Sequence, residues 1–235
     1  MSIIDNIKAS WNLDESSGDA IDNSGNGKTG VNTNVTFGDA PTYGKINKGA
    51  IFNGSAKLLT TGPISTVIDN FTFLCWVYIS GTSLKGCFFS NGSSASGNTW
   101  GYAIGIGNTD FSNNGNNIIL ITLNVAWIPT TKAIGTGWHQ VGMIRDAGNW
   151  YAVLDGVRYS ASSTSTPTAP NGHSVIGATG QAESYNSYFT GYMDIPTFWE
   201  RVLTTQELLD TYNSGAGMQF YTQITANTTN FFNFI

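Results

Sequence analysis

Short apolar runs broken by Gly, Asn, Ser, Thr and Asp recur along most of the chain, and within them hydrophobic residues alternate with polar ones. A period of two puts alternate side chains on one face of a strand, so the pattern predicts an antiparallel all-β fold. Strands are expected at residues 7–13, 50–59, 71–79, 86–90, 101–107, 118–124, 139–145, 150–154, 157–160, 173–176 and 192–199. In the 71–79 stretch, Phe71, Phe73, Cys75, Val77 and Ile79 share one face, while Leu74, Trp76 and Tyr78 share the other. A strand apolar on both faces belongs in the middle of a sheet. Asp155-Gly156, between two such runs, is a hairpin signal, because type I′ turns need positive φ. Only residues 205–213 break the strand period. There Thr204 or Thr205 can cap a helix, Glu207 suits its positive N-terminal end, and Leu208, Leu209 and Tyr212 form an apolar stripe. Gly215 supplies the stop. A helix this short must be held by packing on the sheets.

Composition narrows the function classes. The 235 residues suffice for one sandwich, and 40% hydrophobic with 13% aromatic residues fill a core. Charged residues make up 11%, against roughly 25% in an ordinary soluble domain. The net charge is −5 and no block of Lys or Arg occurs, so nucleic acid is a poor partner. No run approaches the about 18 apolar residues of a membrane span, and the N-terminus lacks the apolar core of an export signal. Asn-x-Ser/Thr triplets at Asn34, Asn53, Asn70, Asn91 and Asn227 then carry no weight as glycosylation sites. Cys75 and Cys87 mirror each other about a turn near Gly81, which allows neighbouring thiols on paired strands. In a reducing compartment they read as two buried free thiols.

Five segments occur in a telling order: WNLDESSGDAIDNSGNGKTG, GAIFNGSAKLLTT, FTFLCWVYIS, GWHQVGMIRDAGNWYAVLDG and FTGYMDIPTFWERVLTTQEL. Together they resemble the laminin-G-like, concanavalin A-like lectin/glucanase superfamily over about residues 7 to 215. The resemblance implies a two-sheet antiparallel jelly roll closed by one short C-terminal helix, with Leu203 and Glu207 at matching positions. It also implies that the first and last strands pair, bringing Asp194 towards Asp22 and Asn26. The family often holds a structural calcium near this junction, so those three residues are its candidate ligands. The other reading of Asp22-Asn23-Ser24-Gly25 is an Asx-type turn without metal. Where the family's closing strand has Asp-Glu, this chain reads Asp194-Ile195-Pro196, and the Pro hints at an edge or a bulge.

Catalytic chemistry finds little support. Retaining glycosidases of related fold need carboxyls about 5 Å apart on one strand. Glu15, Glu183, Glu200, Glu207 and Asp194 do not fall at that spacing. No Gly-x-Ser-x-Gly occurs, His139 follows Trp138 at a strand start in a structural position, and Gly105-Ile106-Gly107 lacks the third glycine of a dinucleotide loop. No catalytic residues are assigned. Among the tryptophans, Trp11, Trp76, Trp138 and Trp199 are expected in the core. Trp100, Trp127 and Trp150 lie at strand ends or beside loops, near Tyr102, Tyr185 and Tyr188. These six are the candidate carbohydrate contacts, since sugar rings stack their C–H faces on aromatic rings. Each has an alternative as local packing.

The expectation is therefore a non-enzymatic virion surface protein of a bacteriophage, such as a capsid decoration, head fibre or tail adhesin, that attaches to host glycans. The Asn-, Gly-, Ser- and Thr-rich composition and the missing export signal favour it. The alternatives are a secreted, extracellular lectin module and a carbohydrate-active enzyme. Residues 1–215 form the expected sandwich. Residues 216–235 form an apolar tail with no charged side chain, which either folds back as an extra strand or, the favoured fate, docks on another copy or another virion protein.

Overall fold

The computed structural model describes residues 2–92, 100–181 and 184–221. Its strands are β1 (Ile7–Ser10), β2 (Val31–Thr33), β3 (Thr36–Asp39), β4 (Lys48–Asn53), β5 (Lys57–Leu59), β6 (Phe71–Ile79), β7 (Gly86–Asn91), β8 (Tyr102–Gly107) and β9 (Asn117–Thr122). They continue with β10 (Ala126–Ala133), β11 (Gly137–Asp146), β12 (Asn149–Leu154), β13 (Val157–Ser160), β14 (Ser174–Ile176), β15 (Thr179–Gln181), β16 (Ser184–Asn186) and β17 (Thr190–Trp199). The helix α1 (Thr205–Tyr212) follows. An eight-stranded antiparallel sheet runs β13-β12-β11-β6-β17-β4-β3, with β1 also on β17. A seven-stranded sheet runs β10-β9-β8-β7-β14-β5-β2, and β15 and β16 form a small ribbon. This is the expected all-β jelly-roll sandwich with one C-terminal helix.

β6 is central, flanked by β11 and β17, and its two apolar faces explain why. Phe71, Phe73, Cys75, Val77 and Ile79 point into the core between the sheets. There Phe71 stacks on Tyr102 of the opposite sheet at 4.1 Å, and Phe73 stacks on Phe89 at 4.1 Å. Leu74 and Trp76 point outward, beneath α1. The Asp155-Gly156 hairpin joins β12 and β13 as expected. The 50–59 run, by contrast, divides into β4 and β5 on different sheets, broken at Gly54 with φ +85. Cys75 and Cys87 also fall on different sheets, because the chain crosses over between β6 and β7. Both thiols are free and buried, and burial pushes them well above the usual thiol range.

β17 changes partners along one edge. Thr190–Met193 pair with β4, while Thr197–Trp199 pair with β1. A bulge between Asp194 and Thr197 separates the two ladders. Pro196 has no N–H to leave unpaired at the break, and its carbonyl accepts from Trp11 N at 3.1 Å. Ile195 takes φ +50, a strained value for a β-branched residue, and is held there by a buried side chain.

The helix closes the outer face of the eight-stranded sheet. Thr204 and Glu207 form a reciprocal capping box. Both Glu207 oxygens also accept from Arg201, at 2.7 and 2.8 Å, and Arg201 donates to Ser2 O and Asp5 O. Leu203, Leu208 and Phe220 are buried against Trp76 and Trp199, with Phe220 edge-on to Trp199 at 5.2 Å. Packing on the sandwich thus continues past residue 215. Residues 222–235, and with them the docking expectation for the rest of the tail, lie outside the described residues.

Two outcomes are expected. Phe220→Ala should destabilise by roughly 3 kcal/mol, whereas Tyr221→Ala should stay within about 0.5 kcal/mol, as read by urea unfolding. The Arg201 hydrogen bonds hold the Glu207 carboxyl down at about 2, below its ordinary value of 4.5. A carboxylate with a depressed folded-state pKa stabilises fully above its unfolded value, and the benefit is lost as pH falls through the folded one. Glu207→Gln should therefore cost about 1–2 kcal/mol at pH 6, with the gap from wild type closing between pH 4.5 and 2.

Candidate functional site

The edge of the seven-stranded sheet carries an exposed ring. β10 pairs only with β9, so its free side faces solvent, and Trp127 on it is 45% exposed. The ring stands edge-on to the buried Phe111 at 5.0 Å and 89°. Phe111 belongs to the 108–116 connection, which folds over the outer face of this sheet onto Ala103, Ile119 and Ile121. The connection is tied by Asp110, whose carboxylate accepts from Ser112 N, Ser112 Oγ and Asn113 N at 2.7–2.9 Å, and from Asn113 Nδ2 at 3.0 Å. Those bonds, led by the Ser112 hydroxyl, hold Asp110 below the usual carboxylate range. Trp100 is 36% exposed. Its neighbour Gly101 accepts from Leu123 N at 3.0 Å, which places Trp100 by the β9–β10 turn, where Val125 is also exposed.

The other aromatic candidates are placed differently. Tyr102 and Trp150 are wholly buried and cannot stack on a sugar. Tyr102 lies between the sheets, with its hydroxyl accepting from Asn91 Nδ2 at 2.8 Å and donating to Val67 O at 3.1 Å. Trp150 Nε1 donates to Ser165 O at 2.7 Å. Sequence position beside a loop gave no hint that the 161–170 connection would cover that strand end. Tyr188 is half-buried in a bridge beside Cys87. The Tyr185 side chain lies outside the described residues. Trp11, Trp76 and Trp199 are core as expected, but Trp138 is half-exposed on the outer face of the eight-stranded sheet.

The proposed calcium ligands serve as backbone latches instead. Asp22 Oδ1 accepts from Ser10 N and Ser24 N, and Oδ2 from Lys28 N, at 2.8–3.1 Å. Asn26 turns its NH₂ towards Ile7 O and Lys8 O. Asp194 Oδ2 accepts from Lys45 N and Ile46 N at 2.8 and 2.9 Å. Burial, and secondarily the charge of Asp14, pushes the Asp194 carboxyl well above the usual range. Calcium wants about six to eight oxygens converging on one point. Here the two carboxylates hold different segments and the amide presents donors. The three residues do not fit a calcium shell. Among the described residues, no group of three or more His, Cys, Asp or Glu side chains converges on a metal position.

Other titratable groups are also engaged. Glu200 accepts from Ser65 Oγ at 2.6 Å and pairs with Lys8 at 3.0 Å. His139 Nδ1 bonds Asp155 Oδ2 at 2.8 Å, and that hydrogen bond raises its pKa. Asp155 Oδ1 meanwhile accepts from Gln140 N at 3.0 Å, so the pair clips the β12–β13 turn to β11.

A family model described as the Concanavalin A-like lectin/glucanases superfamily (Laminin_G_3) matches residues 52–209. The chain belongs to this superfamily. Among curated proteins no match is found. Of solved structures, domain 4 of AbnA, a GH43 extracellular arabinanase from Geobacillus stearothermophilus in complex with arabinotriose, is 18% identical, with a TM-score of 0.63. That similarity covers 87% of this chain and 97% of the domain. The binding domain of Paraclostridial Mosquitocidal Protein 1 is 15% identical with a TM-score of 0.66, over 91% of this chain and 53% of that one. Trypanosoma rangeli sialidase in complex with the inhibitor DANA is 14% identical with a TM-score of 0.61, over 89% of this chain and 34% of the sialidase. The chain thus spans about half of the toxin domain and a third of the sialidase, and these likenesses concern the fold. Ile195, where the resemblance implies a Glu, sits at the bulge of β17.

The latch geometry gives a direct test. Asp22→Ala leaves three buried or half-buried N–H groups without their acceptor and should cost about 2–4 kcal/mol. The loss should be equal in millimolar calcium and in chelator. A calcium-dependent rise in melting temperature that Asp22→Ala abolishes would restore the metal reading.

Proposed function

We propose that this chain is a carbohydrate-binding, lectin-like module that works by binding and not by hydrolysis. The observation that carries the reading is the upright, exposed Trp127 ring beside the preformed Asp110–Asn113 turn. A sugar can lay its apolar C–H face on the indole while carboxylate and amide groups meet its hydroxyls. Trp100 and Val125 extend the same rim. Membership in a lectin/glucanase superfamily supports the reading, as does a similar domain solved with arabinotriose. Against turnover, Asp194 is buried among backbone donors and Glu200 is paired with Lys8.

The finer part of the proposal is a place on a bacteriophage particle, with host-glycan attachment as the task. The low charge and the Asn-, Gly-, Ser- and Thr-rich surface sequence support it. Neighbouring genes for portal or capsid proteins are the expected finding. Neighbours encoding sugar transporters would favour an enzyme instead.

In native gels cast with arabinan, galactan or β-glucan, wild type should be retarded, and Trp127→Ala should weaken retardation by roughly tenfold in apparent affinity. Incubation with the same polymers should release no reducing sugar. Turnover that Glu200→Gln abolishes would defeat the non-catalytic reading.

A further inference from the structure

The outer face of the eight-stranded sheet is divided into two halves. One half is sealed by α1, Leu203, Met218 and Phe220. Among the described residues, the other carries a rung of aromatic side chains. Trp138 on β11 lies directly opposite Tyr78 on β6, and Tyr78 directly opposite Tyr192 on β17. Tyr78 and Tyr192 stack at 5.3 Å, and Trp138 meets Tyr78 edge-on at 5.7 Å. The 40–47 connection adds Tyr43, edge-on to Tyr192 at 5.1 Å. It also passes beside Trp138, whose Nε1 donates to Pro41 O at 3.2 Å. Tyr43 is 38% exposed and the other three rings are half-buried.

Two features fix this row in place. Asp194 spends its Oδ2 on Lys45 N and Ile46 N, anchoring the connection that carries Tyr43. Gly38 on β3 lets Tyr43 lie against the sheet edge, since a Cβ there would come within 2.5 Å of the ring. The chemistry of the row is amphipathic and uncharged. Ring surface is exposed, while the hydroxyls of Tyr43, Tyr78 and Tyr192 have no protein partner among the described residues. Lys45, on the same connection, lies over the Trp76 ring at 4.5 Å and not in the row.

Resting on the carbohydrate-binding reading above, we propose that this row is a binding site for a neutral polysaccharide chain laid across β17, β6 and β11, separate from the Trp127 rim. Adjacent strands lie about 4.8 Å apart, so the rings form a continuous track over which successive sugars can stack. The free phenols supply donors and acceptors to sugar hydroxyls. An anionic glycan is disfavoured, because the row has no cation and the chain carries a net charge of −5.

The test uses the full chain in native gels containing arabinan, galactan or β-glucan, with heparin as the anionic control. Wild type should be retarded by at least one neutral polymer. Tyr43→Ala and Trp138→Ala should each weaken that retardation by roughly tenfold, and Tyr192→Phe, which keeps the ring, by a few-fold. Tyr43 is exposed on a connection, so an unchanged melting temperature separates lost binding from lost fold. If the row variants bind as wild type while Trp127→Ala does not, the row is not a site and the rim reading stands. The opposite result makes the row the site and removes the rim. If no neutral polymer retards wild type, the carbohydrate-binding reading falls and the row with it; if a neutral polymer retards wild type and the row variants alike, or heparin does, the row alone is overturned.

Discussion

The change of partner along β17 is the constraint on which the rest of this molecule depends. One strand must finish the ladder of β4, release it, and take up β1, while β6 stays bonded along its other side. A continuous ladder cannot do this, because two strands cannot occupy one edge position. The bulge at Asp194-Ile195-Pro196 supplies the gap. Proline removes an N–H that would be left unpaired, and the strain at Ile195 is sustained by the packing around it. Asp194 fills the gap electrostatically by taking two N–H groups from the 40–47 connection. The site that looks acidic in the sequence is thus a backbone joint.

Once β1 is seated, Asp22 and Asn26 fasten it from the 22–28 turn. Arg201 then joins the segment before β1 to the first turn of α1, since it bonds Ser2, Asp5 and Glu207 together. The short helix, marginal alone, is fixed at its first turn by the capping box and along its buried side by Leu208. Among the described residues, α1 and the segment to Tyr221 cover one half of the outer sheet face. The aromatic rung lies on the other half.

Much of the fold was legible in the sequence. The double-sided apolarity of residues 71–79 announced the central strand, Asp155-Gly156 its hairpin, and Thr204 with Glu207 the helix start. The division of residues 50–59 between two sheets was not legible, because apolar alternation continues across the Gly54 corner. The candidate site was legible only in part. Trp127 and Trp100 are exposed as expected, whereas Tyr102 and Trp150 are core and Trp138 is on the surface. A strand period says which residues share a face, not which face another layer will cover.

By itself, the sequence determined the periodic elements, the class of fold and the closing helix, because these follow from local propensity and alternation. Tertiary structure alone decided the roles of Asp22 and Asp194. Whether a carboxylate binds metal or backbone depends on which N–H groups arrive from segments far along the chain, as those of Lys45 and Ile46 do at Asp194. It also decided which aromatic residues meet solvent. Trp138, Tyr78 and Tyr192 are remote in sequence and form one row only through strand register.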